Sequence, residues 1–187
     1  VAREFGNPRH VKVVDHFDNV YFKDYWRSVH AFENNLLTAP FMKAFFKRGK
    51  AEPYAISFNA RQNYVRLQIR APRIGANYQM GIVGSTKSLG SWEQDKVVLM
   101  SDEDFPIWKV DLPVSDNATP FEYKFVIYSH EEKKVVTWEA GDNRYFPLHD
   151  LTNKKKLVVQ SEEEFRYPVG HWKAAGVAIP VFYIMIS

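Results

Sequence analysis

Five residues make chemical sense together as a sugar-contacting group: Trp92, Lys124, Trp138, Glu139 and Asn143. A pyranose ring offers an apolar C–H face and a rim of hydroxyls. Flat indoles accept the face, while ammonium, carboxylate and amide groups hydrogen-bond the rim. Two rings set at an angle suit a curved chain such as an α-1,4-glucan better than a flat one. Other chemistries lack their residues. The six histidines are scattered without metal-ligand spacing. The chain has no phosphate-cradling glycine loop and no nucleophile elbow. Carboxylate pairs such as Glu131-Glu132 and Asp102-Glu103 read as solvated turns, not as an acid/base pair in a cleft. The residues therefore point to a binding surface without catalysis, and no cofactor is expected.

A hairpin must position this group. Phe121–Tyr128 and Lys134–Trp138 are strand-forming runs flanking the polar turn Ser129–Lys133. Phe121, Tyr123, Phe125 and Ile127 share one face, and Glu122, Lys124, Val126 and Tyr128 the other. A turn centred on Glu131 pairs Val126 with Val136, Lys124 with Trp138, Phe125 with Thr137 and Ile127 with Val135. Trp138 then lies outward beside Lys124, whereas a one-residue slip would turn it into the core. An outward indole asks for a ligand or for a loop that covers it. The hairpin alone supports both readings equally.

The other elements agree with an all-β domain. Val65, Leu67 and Ile69 alternate with polar residues, Tyr78–Val83 is a second strand, and Gly84–Trp92 is a Gly/Ser-rich connection carrying an aromatic. Val97–Leu99, Ile107–Leu112 and Leu157–Val159 are further strands, with Trp108 expected in the core. This pattern predicts an immunoglobulin-like antiparallel β-sandwich over residues 54–160. Residues 15–53 hold nine aromatics from Phe17 to Phe46, too many for a free linker. They are expected to form a partly helical linker that packs on neighbours. Residues 1–14 repeat part of the hairpin: Val1-Ala-Arg-Glu-Phe-Gly-Asn-Pro-Arg9 lies on Val136-Thr-Trp-Glu-Ala-Gly-Asp-Asn-Arg144. They read as the tail of a preceding module, with Arg3 in place of the Trp and Pro8 in place of the Asn. Residues 161–187 run from an acidic stretch to an apolar one, read as a linker and a first strand of something further downstream.

Composition narrows the partners. The net charge of +3 is too mild to indicate nucleic acid, and no stretch approaches a membrane span. The chain has no cysteine, which is compatible with a reducing compartment.

Several motifs stand in a recognisable order: Val83-Gly-Ser85, Leu89-Gly-Ser-Trp92, Trp108-x-Val110-x-Leu112-Pro113, Phe121–Phe125 and Trp138-Glu139-x-x-x-Asn143-Arg144. Across residues 60–160 this resembles the starch-binding domain, carbohydrate-binding module family 20. The resemblance implies a first sugar site at Trp92, Lys124, Trp138, Glu139 and Asn143. It also implies a second site of tyrosines, where this chain offers Phe105 and, loosely, Tyr78. Trp172–Phe182 looks like the opening strand of the catalytic barrel of the 4-α-glucanotransferases, glycoside hydrolase family 77, while Tyr183–Ser187 departs from that pattern. These resemblances imply a non-catalytic module binding starch, glycogen or maltooligosaccharide. They further imply a catalytic domain in the same parent chain, retaining glycosyl transfer there, and a cytoplasmic location. Two alternatives are a glycogen-targeting module of a non-glycosidase and a sandwich for protein contacts only.

Overall fold

The computed structural model describes residues 17–24, 62–114, 120–147, 156–162 and 164–168. The expectations for residues 1–14, for the helical part of 15–53 and for 169–187 lie outside these residues. The described strands are β1 (Asn19–Lys23), β2 (Asn63–Arg70), β3 (Tyr78–Gly84), β4 (Val98–Leu99), β5 (Ser101–Asp104), β6 (Ile107–Val114), β7 (Phe121–Ser129), β8 (Lys134–Trp138), β9 (Arg144–Phe146) and β10 (Lys156–Glu162). They form two sheets. One has the order β1-β10-β2-β6-β5; the other has the order β4-β3-β7-β8, with β9 also paired to β7.

Alternation along the strands builds the core. Val65, Leu67 and Ile69 of β2 and Trp108, Val110 and Leu112 of β6 face Met80 and Ile82 of β3 and Phe121, Tyr123, Phe125 and Ile127 of β7. Trp108 is fully buried and donates its indole N–H to the Ala71 carbonyl at 3.1 Å, which satisfies the one polar atom of the ring. Phe121 stacks on Phe146, with centroids 4.8 Å apart.

The β-sandwich expected from the sequence is present, with two differences. The first sheet is mixed, because β10 runs parallel both to β2 and to β1. Parallel pairing needs a long crossover, and strand patterning does not encode it. The packed unit also extends beyond 54–160 at both ends. Strand β1, from the expected linker, joins the sheet edge, and Phe17 meets Tyr64 edge-on at 5.9 Å. Phe165, from the acidic stretch, is buried in the main core.

The hairpin register differs in an instructive way. Val126 pairs with Trp138, Ile127 with Thr137, Tyr128 with Val135 and Ser129 with Lys134, with a bulge between Ile127 and Tyr128. Val136 is the extra residue and packs on the main core, while Val135 moves to the outer face. The turn slips the register by one residue and the bulge by another. Two slips restore the face, so Trp138 lies outward although its expected partner, Lys124, does not stand opposite it.

Candidate functional site

The outer face of the second sheet carries a small apolar cluster of Val83, Val126 and Val135, all buried. Trp92 and Trp138 both pack against it, as do Val97 and Tyr128, and all four remain half-buried. The two indoles thus share one valine floor while keeping surface free. They arrive by different routes. Trp138 ends β8. Trp92 ends a 3-10 segment, Lys87–Trp92, in which Gly90, Ser91 and Trp92 have φ of 77°, 50° and 66°. Left-handed backbone is unfavourable for non-glycine residues. Here it is held by Ser91 N–H to Thr86 O at 2.9 Å, Glu93 N–H to Gly90 O at 2.9 Å, and the buried Leu89 side chain.

Lys124 lies on the same outer face, two positions from Val126 along β7 and paired with Val83. Its ammonium donates to Gly141 O at 2.6 Å and Glu139 O at 3.4 Å, so it clamps the turn that follows Trp138. Asn143, exposed at the end of that turn, donates from Nδ2 to Glu122 Oε2 at 2.8 Å. Glu122 is a partner the sequence reading missed; its alternation with Lys124 on the outer face was the available signal.

Glu139 corrects the expected set. Its side chain is fully buried, and its carboxylate accepts from the Phe125 N–H (2.9 Å), Arg144 Nε (2.9 Å) and Arg166 Nε (3.0 Å). A carboxylate so surrounded has no face for a sugar hydroxyl, so Glu139 positions the turn from beneath. The network continues through Arg144 Nη1 to Glu162 Oε2 at 2.6 Å, and from the Tyr123 hydroxyl to Glu162 Oε1 at 2.8 Å. Burial, and then the Glu162 carboxylate, push the Tyr123 hydroxyl far above the ordinary tyrosine range. Arg144 is likewise held in its charged form by Glu139 and Glu162, although burial opposes it.

Phe105 and Tyr78 lie elsewhere. Phe105, at the β5–β6 corner, is half-buried against the main core and meets Trp108 edge-on at 6.0 Å. Tyr78, at the start of β3, is half-buried against the same core. The resemblance puts this second site on another face from the tryptophans, and both residues lie away from the tryptophan face.

The fold is a β-sandwich with two half-buried indoles on one sheet face, beside an ammonium and an amide. The family model described as "Starch binding domain" matches residues 62–158, more than half of the chain, and the chain belongs to that family, of non-catalytic binding modules. The chain is similar to 4-alpha-glucanotransferase DPE2 of Oryza sativa subsp. japonica, 28% identical over 176 residues, covering 89% of this chain and 18% of that one. It is also similar to AA13 family lytic polysaccharide monooxygenase A of Aspergillus terreus, 37% identical over 73 residues, covering 36% of this chain and 17% of that one. The chain therefore spans less than a fifth of the length of these curated relatives. Among solved structures, it is similar to the gamma-CGTase of alkalophilic Bacillus clarkii, with 26% identity and a TM-score of 0.46, covering 56% of this chain and 15% of that one. It is similar as well to the family 20 module of the maltotetraose-forming amylase of Pseudomonas saccharophila STB07, with 19% identity and a TM-score of 0.43, covering 53% of this chain and 99% of that one.

Proposed function

We propose that Trp92 and Trp138 stack on successive glucose rings of an α-1,4-glucan, with Lys124 and Asn143 bonding hydroxyls at the rim. One observation carries the assignment: both indoles lie half-buried over the same valine cluster in a chain of the starch-binding family. The proposal leaves out Phe105 and Tyr78, which pack toward the core.

We further propose that the module serves a 4-α-glucanotransferase of the family 77, retaining type, in a cytoplasmic location. It would hold starch, glycogen or maltodextrin near a catalytic domain in the same parent chain and raise its local concentration. Support comes from the rice relative, whose similarity covers 176 residues and so includes flanks beyond the family match at 62–158. The resemblance of Trp172–Phe182 to a barrel strand points the same way.

The test of the sugar site is calorimetry of the 187-residue chain with maltoheptaose. Replacing Trp138 by alanine is expected to weaken binding by about 2 kcal/mol or more, the usual cost of losing a central aromatic anchor. Unchanged affinity in a folded variant would sink the assignment.

A further inference from the structure

The outer face does not end at Asn143. Strands β8 and β9 both pair with β7 along the edge opposite β3, one after the other. In β9, Phe146 stands opposite Phe121 and turns into the core, so its neighbour Tyr145, opposite Glu122, turns outward. Tyr145 is 54% exposed, although three neighbouring aromatics, Phe121, Tyr123 and Phe146, are all buried. A single exposed ring is ordinary on a protein surface; what sets Tyr145 apart is its place on the outer face, along β7 from Trp138.

The register gives its distance from the tryptophans. Trp138 stands opposite Val126 and Tyr145 opposite Glu122, a separation of four positions on β7. At 3.3 Å per residue this is about 13 Å along the strand. Lys124 lies between them on the same face, and the Asn143–Glu122 hydrogen bond fixes polar groups beside Tyr145. The row thus alternates ring, charge, amide and ring.

We propose that Tyr145 is a third stacking platform, extending the glucan site along β7 and selecting for longer chains. This rests on the sugar site proposed above. A disaccharide seated on the tryptophans is too short to reach Tyr145 as well, whereas a longer glucan crosses Lys124 and Asn143 and covers the ring.

The test is titration of the full 187-residue chain, and its Tyr145→Ala, Tyr145→Phe and Trp138→Ala variants, with maltose and with maltoheptaose. Tyr145→Ala is expected to lower maltoheptaose affinity about five-fold, in line with loss of one exposed aromatic contact. Maltose affinity stays unchanged, and Tyr145→Phe keeps most of the maltoheptaose affinity because the ring carries the contact. Trp138→Ala weakens both sugars. An unchanged maltoheptaose affinity in Tyr145→Ala, or an equal loss for both sugars, would overturn the third platform while leaving the tryptophan site intact. If the wild-type chain bound neither sugar, both readings would fall together.

Discussion

At the scale of the residue, the proposed site divides into side chains on the outer face and side chains that hold them in place. Glu139 belongs to the second group. Its carboxylate takes hydrogen bonds from one backbone N–H and two guanidinium groups with no exposed surface of its own. Removing one charge from a buried, fully bonded network leaves its partners uncompensated, which costs far more than a surface pair. Glu139→Gln places an amide NH2 or a neutral oxygen against Arg144 and Arg166. The expected outcome is a loss of roughly 3 kcal/mol in unfolding free energy, read from urea denaturation. An unfolding curve that superimposes on the wild type would show that the carboxylate is not structural. Lys124 shows the same economy in reverse. Two backbone carbonyls take two of its three N–H donors, which leaves one for a ligand on the face it shares with Val126 and Trp138.

At the scale of the element, two irregularities place the tryptophans, a left-handed loop for Trp92 and a bulged hairpin for Trp138. Gly90 is the residue the loop cannot exchange. Its φ is 77°, and a Cβ there would lie 2.6 Å from the Lys96 carbonyl oxygen, a backbone atom that cannot swing aside. Gly90→Ala is therefore expected to displace the loop and cut maltoheptaose affinity at least about ten-fold, while the sandwich keeps its cooperative unfolding. Equal affinity for the two proteins would mean that the loop adapts without moving Trp92. The sequence showed where these residues stand but not how the backbone delivers them. Strand alternation made the core faces legible, and Trp108, Phe121 and Tyr123 lie where their spacing predicted. The outward side of Trp138 was legible too, because two compensating slips preserve parity. The bulge at Val136 was not, since Val135 and Val136 are the same residue type and either could turn inward. Nor was the fate of Glu139. Its partners come from β7, β9 and the Arg166 segment, and no local pattern announces an ion-pair network that closes over such separations.

At the scale of the whole molecule, the family match ends at residue 158, yet the packed structure continues through Glu162, Phe165 and Arg166. That last segment reaches back to the turn that follows Trp138. Arg166 donates from Nε to Glu139 at 3.0 Å and from Nη2 to Asp142 O at 2.7 Å, and its own carbonyl accepts from Ala140 N–H at 2.7 Å. Gly141, with φ of 76°, lets the turn pass close to the guanidinium, since a Cβ there would lie 3.3 Å from Arg166 Nη1. The turn between Trp138 and Asn143 is thus braced from below by the segment 164–168. A guanidinium can bond a carboxylate and a carbonyl at once in fixed geometry, and a lysine ammonium cannot reproduce that fork. Arg166→Ala is expected to lower maltoheptaose affinity about three-fold or more, because the turn carrying Asn143 and the carbonyls that seat Lys124 loses its brace. Arg166→Lys restores the charge beside Glu139 but not the bond to Asp142, so it recovers stability more fully than affinity. The separation of the two readouts is the test. Thermal unfolding and sugar titration are measured on both variants, and a lysine variant that recovers affinity and stability together would reduce Arg166 to a simple counter-charge for Glu139.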